Sequence, residues 1–154
     1  MSMTWHEYFF KLVDLAAQKS KDPTTPVGAV VVGPDKEIRA TGFNGFPRGV
    51  KDSEERYSDR TSKLLYIEHA ERNAIYNAAR IGVSLKGCSI YLCFWPCVDC
   101  ARAIIQAGIT TVYVARNTYD VNAAKWERPT ADWKRGMDVG REMMIEADVL
   151  LLVV

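Results

Sequence analysis

The sequence has no apolar run long enough to cross a bilayer; its closing Val149–Val154 stretch is short enough to be a buried strand. It lacks a charged N-terminal segment leading into an apolar core, so a secretory leader is not expected. Internal repeats, low-complexity tracts and domain linkers are missing as well. The 154 residues are therefore expected to form one domain, 1–154, large enough to bury a real core. Cysteine is absent outside positions 88 to 100, which excludes a disulfide framework spread over the chain and fits a reducing cytoplasm. An excess of either charge is also lacking. With 20 basic residues against 19 acidic ones, the net charge of +1 argues against a large nucleic-acid footprint.

Histidine is scarce, yet one of the two histidines falls in a pattern with chemical meaning. His69-Ala70-Glu71 is followed, past an apolar run, by Pro96-Cys97-Val98-Asp99-Cys100. The imidazole of His69 and the thiolates of Cys97 and Cys100 make a three-ligand zinc set that leaves a fourth tetrahedral position for water. Two thiolates and a neutral imidazole cancel the double charge of the metal, so such a site can be buried. Glu71, two residues past the ligand, can reach that water without coordinating and is the candidate catalytic proton carrier. The whole pattern is the H-x-E…P-C-x-x-C signature of zinc nucleobase deaminases. Other readings fit less of it. A redox C-x-x-C has no need of His69 or Glu71, and a closed structural site needs a fourth ligand, for which Cys88 and Cys93 are the candidates. A non-catalytic zinc module has no use for Glu71. A deaminase acting on tRNA adenosine would carry a more basic balance.

Residues 4 to 19 place Trp5, Tyr8, Phe9, Leu12 and Val13 at helical spacing, with Thr4 and Glu7 as a capping box; the aromatic stripe reads as core and His6 as a surface residue. Val27–Val32 and Glu37–Gly42 read as an antiparallel hairpin. The Gly42–Gly49 stretch is a loop, open between a ligand contact and a plain turn. Lys51 to Lys63 reads as a charged surface segment; Arg48, Lys51, Arg56, Arg60 and Lys63 are candidates to meet a substrate phosphate, with a solvated face as the plainer reading. Helices are expected over 68–81, ended by Gly82, over 97–106, closed by Gly108, and over 131–147. Strands are expected at 89–93, 110–115 and 149–153. Strands separated by helices imply parallel pairing, giving an α/β fold with a mixed five-stranded sheet and helices on both faces, a three-layer α/β/α arrangement.

With these stretches in place, the chain resembles the deoxycytidylate (dCMP) deaminases of the cytidine deaminase-like superfamily over about residues 5 to 120. The likeness rests on Ser20-Lys21-Asp22-Pro23 leading into Val27-Gly28-Ala29, on Gly42-Phe43-Asn44-Gly45-Phe46-Pro47, on His69 through Ile75, and on Pro96 through Ala101 and Ile104 through Ile109. Trp95, just before the Pro-Cys pair, departs from the pattern, and the stretch after Asn122 is less familiar. The resemblance implies a cytidine deaminase-like fold and zinc-dependent hydrolysis of dCMP to dUMP and ammonia, in the supply of thymidylate. It implies one zinc per chain on His69, Cys97 and Cys100, with Glu71 as proton shuttle. Asn44 is implied to hold the sugar 3′-hydroxyl, the Ala70 backbone N–H to meet the base carbonyl, and Tyr119 in Thr118-Tyr119-Asp120 to touch substrate. It further implies a homo-hexamer with dCTP and dTTP as effectors, and a subunit-coupling position at Arg80. A related nucleoside, a blasticidin-like compound or a 5-substituted dCMP is the neighbouring substrate reading.

Overall fold

The computed structural model describes residues 1–116 and 131–154. A five-stranded sheet runs in the order β2-β1-β3-β4-β5, with β1 Gly28–Val32, β2 Ile38–Phe43, β3 Ser89–Leu92, β4 Thr111–Val114 and β5 Leu150–Val153. β2 and β3 both pair antiparallel with β1, while β4 and β5 follow β3 in parallel. The expected mixed α/β sheet is therefore present. Helix α1 (Trp5–Ala17) covers one face. Helices α4 (Ala70–Ile81), α5 (Val98–Gln106) and α6 (Ala131–Glu146) cover the other. β1 lies inside the sheet between helical layers, so all five of its residues are buried and its apolar pattern is continuous rather than alternating.

Local signals explain the element ends. Thr4 and Glu7 form the expected reciprocal cap at the start of α1. Gly82 closes α4 in the left-handed region at φ 74°, where a Cβ would be strained.

Three expectations need correction. Only Phe9 and Val13 of the aromatic helix are buried, whereas Trp5 is 54% exposed, because α1 is the one helix among the described residues on this face and seals a narrow stripe. His6 is not a plain surface residue: it is half-buried against Tyr91 and Tyr113, and its Nδ1 lies 3.1 Å from the Tyr91 hydroxyl. β5 is an edge strand with Leu150 at 60% exposure, not a buried one, since nothing among the described residues pairs beyond it.

The contact that sets up the site lies between α4 and β2. Asn73 and Asn77, one turn apart, donate to the Phe43 and Thr41 carbonyls at 2.8 and 2.7 Å. Gly42 lets the helix come this close, because a Cβ there would sit 2.3 Å from the Ala70 carbonyl oxygen and 2.4 Å from the Ala74 nitrogen. Both neighbours are backbone, so the helix itself would have to move. Gly42→Ala is expected to cost about 1–3 kcal/mol, the usual penalty for overpacking, read from the urea midpoint. An unchanged midpoint would show that α4 can shift from β2 without loss.

Candidate active site

His69 is the N-cap of α4 and Cys97 the N-cap of α5; Ala70 and Glu71 open the first helix, and Cys100 lies in the first turn of the second. Two helix N-termini therefore converge, and their unsatisfied N–H groups favour anionic side chains there. His69 Nδ1 lies 3.5 Å from Cys97 Sγ and 3.4 Å from Cys100 Sγ, and the three donor atoms all fall within 4.8 Å of one another. Tetrahedral bonds of about 2.0 Å to nitrogen and 2.3 Å to sulfur would hold such atoms about 3.5 Å apart, so the set fits zinc. Neither Cys88 nor Cys93 joins the cluster among the described residues. Burial pushes the Cys93 thiol up to about 12, which keeps it protonated.

The protons of the cluster are shared. Donation from the Cys100 thiol draws the Cys97 sulfur down to about 3, and His69 assists against the opposing effect of burial. The same bond and burial push Cys100 up. The Cys97 thiolate raises His69 in turn. A metal replacing those protons needs no rearrangement of the donors. Glu71 is 3% exposed, and burial lifts its carboxyl above the ordinary range while His69 opposes that shift. Glu68 accepts from the His69 backbone N–H at 2.9 Å and pairs with Arg72 at 2.5 Å, and Arg72 reaches Asp99 on α5 at 3.6 Å. This chain of contacts ties the two ligand-bearing helix starts together.

His69 and Cys97 open onto a cavity of about 510 Å³, with Cys100 buried behind them. Its walls include His69, Ala70, Glu71, Cys97 and Asn44, so the structure gathers these sequence-identified residues. Arg80 is exposed in the last turn of α4, away from the cavity lining. Tyr119 lies outside the described residues. Of the five basic candidates, Arg60 and Lys63 line the cavity; Arg48 instead bonds Asn77, and Arg56 packs over the Tyr66 ring.

The Lys51–Lys63 segment is not merely a solvated face. Ser53 and Asp59 cap two short helices, α2 (Glu54–Ser58) and α3 (Arg60–Tyr66). Tyr57 is buried and stacks on Phe46 at 4.2 Å between ring centres.

Sequence reading missed two parts of the wall. One is Asp22, whose side chain is 1% exposed and whose carboxylate bonds Lys63, Thr24, the Thr25 N–H and Asn44. It joins the 20–23 and 42–47 stretches, which Ser20 also bridges by donating to the Asn44 carbonyl at 2.8 Å. The resemblance quoted both stretches, but their mutual contact is 22 residues apart in sequence and carries no local signal. The other is the pair Trp133 and Met137 on α6, which join Phe94 and Trp95 in an apolar wall. Gly140 makes this approach close, since a Cβ there would lie 3.3 Å from Ala101 Cβ.

Residues 3–116 match the family described as the cytidine and deoxycytidylate deaminase zinc-binding region. The chain belongs to this family of zinc-dependent deaminases. It is 38% identical over 149 residues to an uncharacterised deaminase of the luxG 3′ region of Aliivibrio fischeri, covering 97% of this chain and 92% of that protein. It is 39% identical over 122 residues to human deoxycytidylate deaminase, covering 76% and 67%. The dCMP deaminase of cyanophage S-TIM5, solved with dCMP and dUMP, superposes with a TM-score of 0.71 at 25% identity, covering 100% of this chain and 99% of that one.

Burial alone would raise the Asp22 carboxyl, but the Lys63 ammonium and the Thr24 and Thr25 donors outweigh it and hold the group below the ordinary carboxylate value. Asp22→Asn leaves the Lys63 ammonium without a counter-charge and is expected to cost about 3 kcal/mol, the low end for a broken buried pair. The folded pKa lies below the unfolded value of about 3.9. The wild-type advantage is therefore full above that value and declines as pH falls through the folded pKa. Urea midpoints of both proteins across pH check this, and a difference that stayed constant down to about pH 3 would contradict the ion pair.

Proposed function

We propose that the protein hydrolyses dCMP to dUMP and ammonia, as a single 154-residue domain holding one zinc on His69, Cys97 and Cys100. The observation that carries this reading is the buried Glu71 beside three donors spaced for tetrahedral zinc, at a cavity that also presents cations. The phage enzyme solved with dCMP and dUMP supports the choice of substrate.

Zinc, when bound, supplies the Lewis acidity that brings the pKa of a water toward neutrality. Glu71 takes the proton of the attacking water, delivers it to N3 of the ring, and then carries a proton to the departing amino group. One C–O bond forms at C4, the C4–N bond breaks, and one water is exchanged for one ammonia. The raised carboxyl pKa suits this work, since a proton carrier is most effective when its pKa lies near the working pH.

The Ala70 N–H, at the first helical position, has no partner within its helix and donates to the base carbonyl. Asn44 gives both Nδ2 hydrogens to Asp22 and the Thr25 carbonyl, and its Oδ1 accepts from the Val27 N–H at 2.8 Å. It therefore serves the sugar 3′-hydroxyl only as an acceptor, through the second lone pair of Oδ1. Tyr119 completes the substrate contacts in this reading. The assembly is a homo-hexamer regulated by dCTP and dTTP, with Arg80 at a subunit boundary.

Glu71→Gln is expected to keep about one zinc per chain while turnover falls at least about a hundredfold. Metal analysis beside an ammonia-release assay checks both, and normal turnover in the zinc-loaded variant would sink the shuttle. Wild-type kcat/KM is expected to be roughly a hundredfold or more higher for dCMP than for deoxycytidine, about 2.7 kcal/mol of binding from the phosphate used in turnover. Equal efficiencies would make the protein a nucleoside deaminase.

A further inference from the structure

A dianionic phosphate cannot be seated without cations or several free N–H donors. The polar wall of the cavity looks well supplied, with Asp22, Thr24, Asn44, Tyr57, Ser58, Arg60 and Lys63, but almost all of its donors are already committed. Lys63 aims its ammonium at both Asp22 oxygens, at 2.8 and 2.7 Å, and at the Thr24 hydroxyl at 2.8 Å, which uses its three N–H bonds. The Thr24 hydroxyl and the Thr24 and Thr25 backbone N–H groups all donate to Asp22. Both Asn44 hydrogens are bound, the Tyr57 hydroxyl reaches Asp52, and the Ser58 hydroxyl reaches the Glu55 carbonyl.

Arg60 is different. It opens α3 at the cavity rim, and its exposed side chain has no ion-pair or hydrogen-bond partner among the described residues. The neighbouring carboxylate, Asp59, is turned to the Ser62 backbone N–H at 2.9 Å. The charge pairing of the wall points the same way. Asp22 neutralises Lys63, so among the described residues lining the cavity Arg60 is the cation that no carboxylate offsets.

We infer that Arg60, and not Lys63, is the cation that binds the 5′-phosphate of the nucleotide, while the Lys63–Asp22 pair is a fixed strut that shapes the wall. The inference rests on the nucleotide reading proposed above. A guanidinium offers five N–H groups in a planar fork that matches two phosphate oxygens at once, and its weak hydration suits a half-enclosed rim.

The test measures kcat/KM for dCMP and for deoxycytidine in zinc-loaded wild type, Arg60→Gln and Arg60→Lys. The dCMP-over-deoxycytidine ratio is expected to fall about tenfold to a hundredfold in Arg60→Gln, the range for losing charged hydrogen bonds. Arg60→Lys should recover part of that loss, because it restores the charge without the fork. A ratio in Arg60→Gln equal to that of wild type would overturn the assignment, as would equal losses on both substrates, which would make Arg60 a structural residue. A wild-type ratio near one would instead refute the nucleotide reading itself, so the two failures are distinguishable.

Discussion

The structure depends on bringing three donors from two helices to within 4.8 Å of one another in a partly buried place. Like-charged sulfurs do not gather at that distance unaided. Each helix presents its N-terminus, with unsatisfied N–H groups and a partial positive charge, at the point where the anionic ligands sit. Shared protons hold the cluster together until a metal takes their place. Glu71 lies beside the donors, and its burial there ties its protonation to that of the site.

Holding two helix starts in register requires more than the ligands. α4 is fixed to β2 through the two asparagines and the bare backbone of Gly42. The Glu68–Arg72–Asp99 contacts then connect α4 to α5 next to the donors. Gly45 and Glu68 exchange backbone hydrogen bonds at 3.1 and 2.8 Å, so the loop that carries Asn44 is fastened to the entry of the same helix. The β-sheet thus works as a ruler: its order places β1 and β3 side by side, and the helices that follow β2 and β3 meet over them.

Electrostatics divides the cavity into two regions of different character. The wall built from Asp22, Lys63, Thr24 and Asn44 is internally satisfied and rigid, polar in composition but with its donors turned inward. Elsewhere in the lining, Phe94, Trp95, Trp133 and Met137 offer an apolar surface that can exclude water from the reacting ring. Arg141 lies over the Trp95 ring at 5.3 Å, which anchors the tryptophan that departs from the common pattern.

Much of this was legible in the chain itself. The metal donors and Glu71 were readable because their spacing is short and each residue type has a fixed chemical role. The helix ends were readable because Thr4, Glu7 and Gly82 act through backbone geometry within a few residues. The parallel half of the sheet followed from alternating strands and helices. Other features depended on contacts between distant segments. The commitment of Lys63 to Asp22 spans 41 residues, and nothing in a run of charged residues tells which cation will be neutralised. The part played by Trp133 rests on how closely α6 can approach α5, and the exposure of Trp5 and Leu150 on how far the helical layers extend across the sheet. Sequence alone determined the chemistry of the site, because ligand types and caps are local properties. Tertiary structure decided which charges remain available to a substrate, because hydrogen-bond donors are consumed by whichever partners the fold brings within reach.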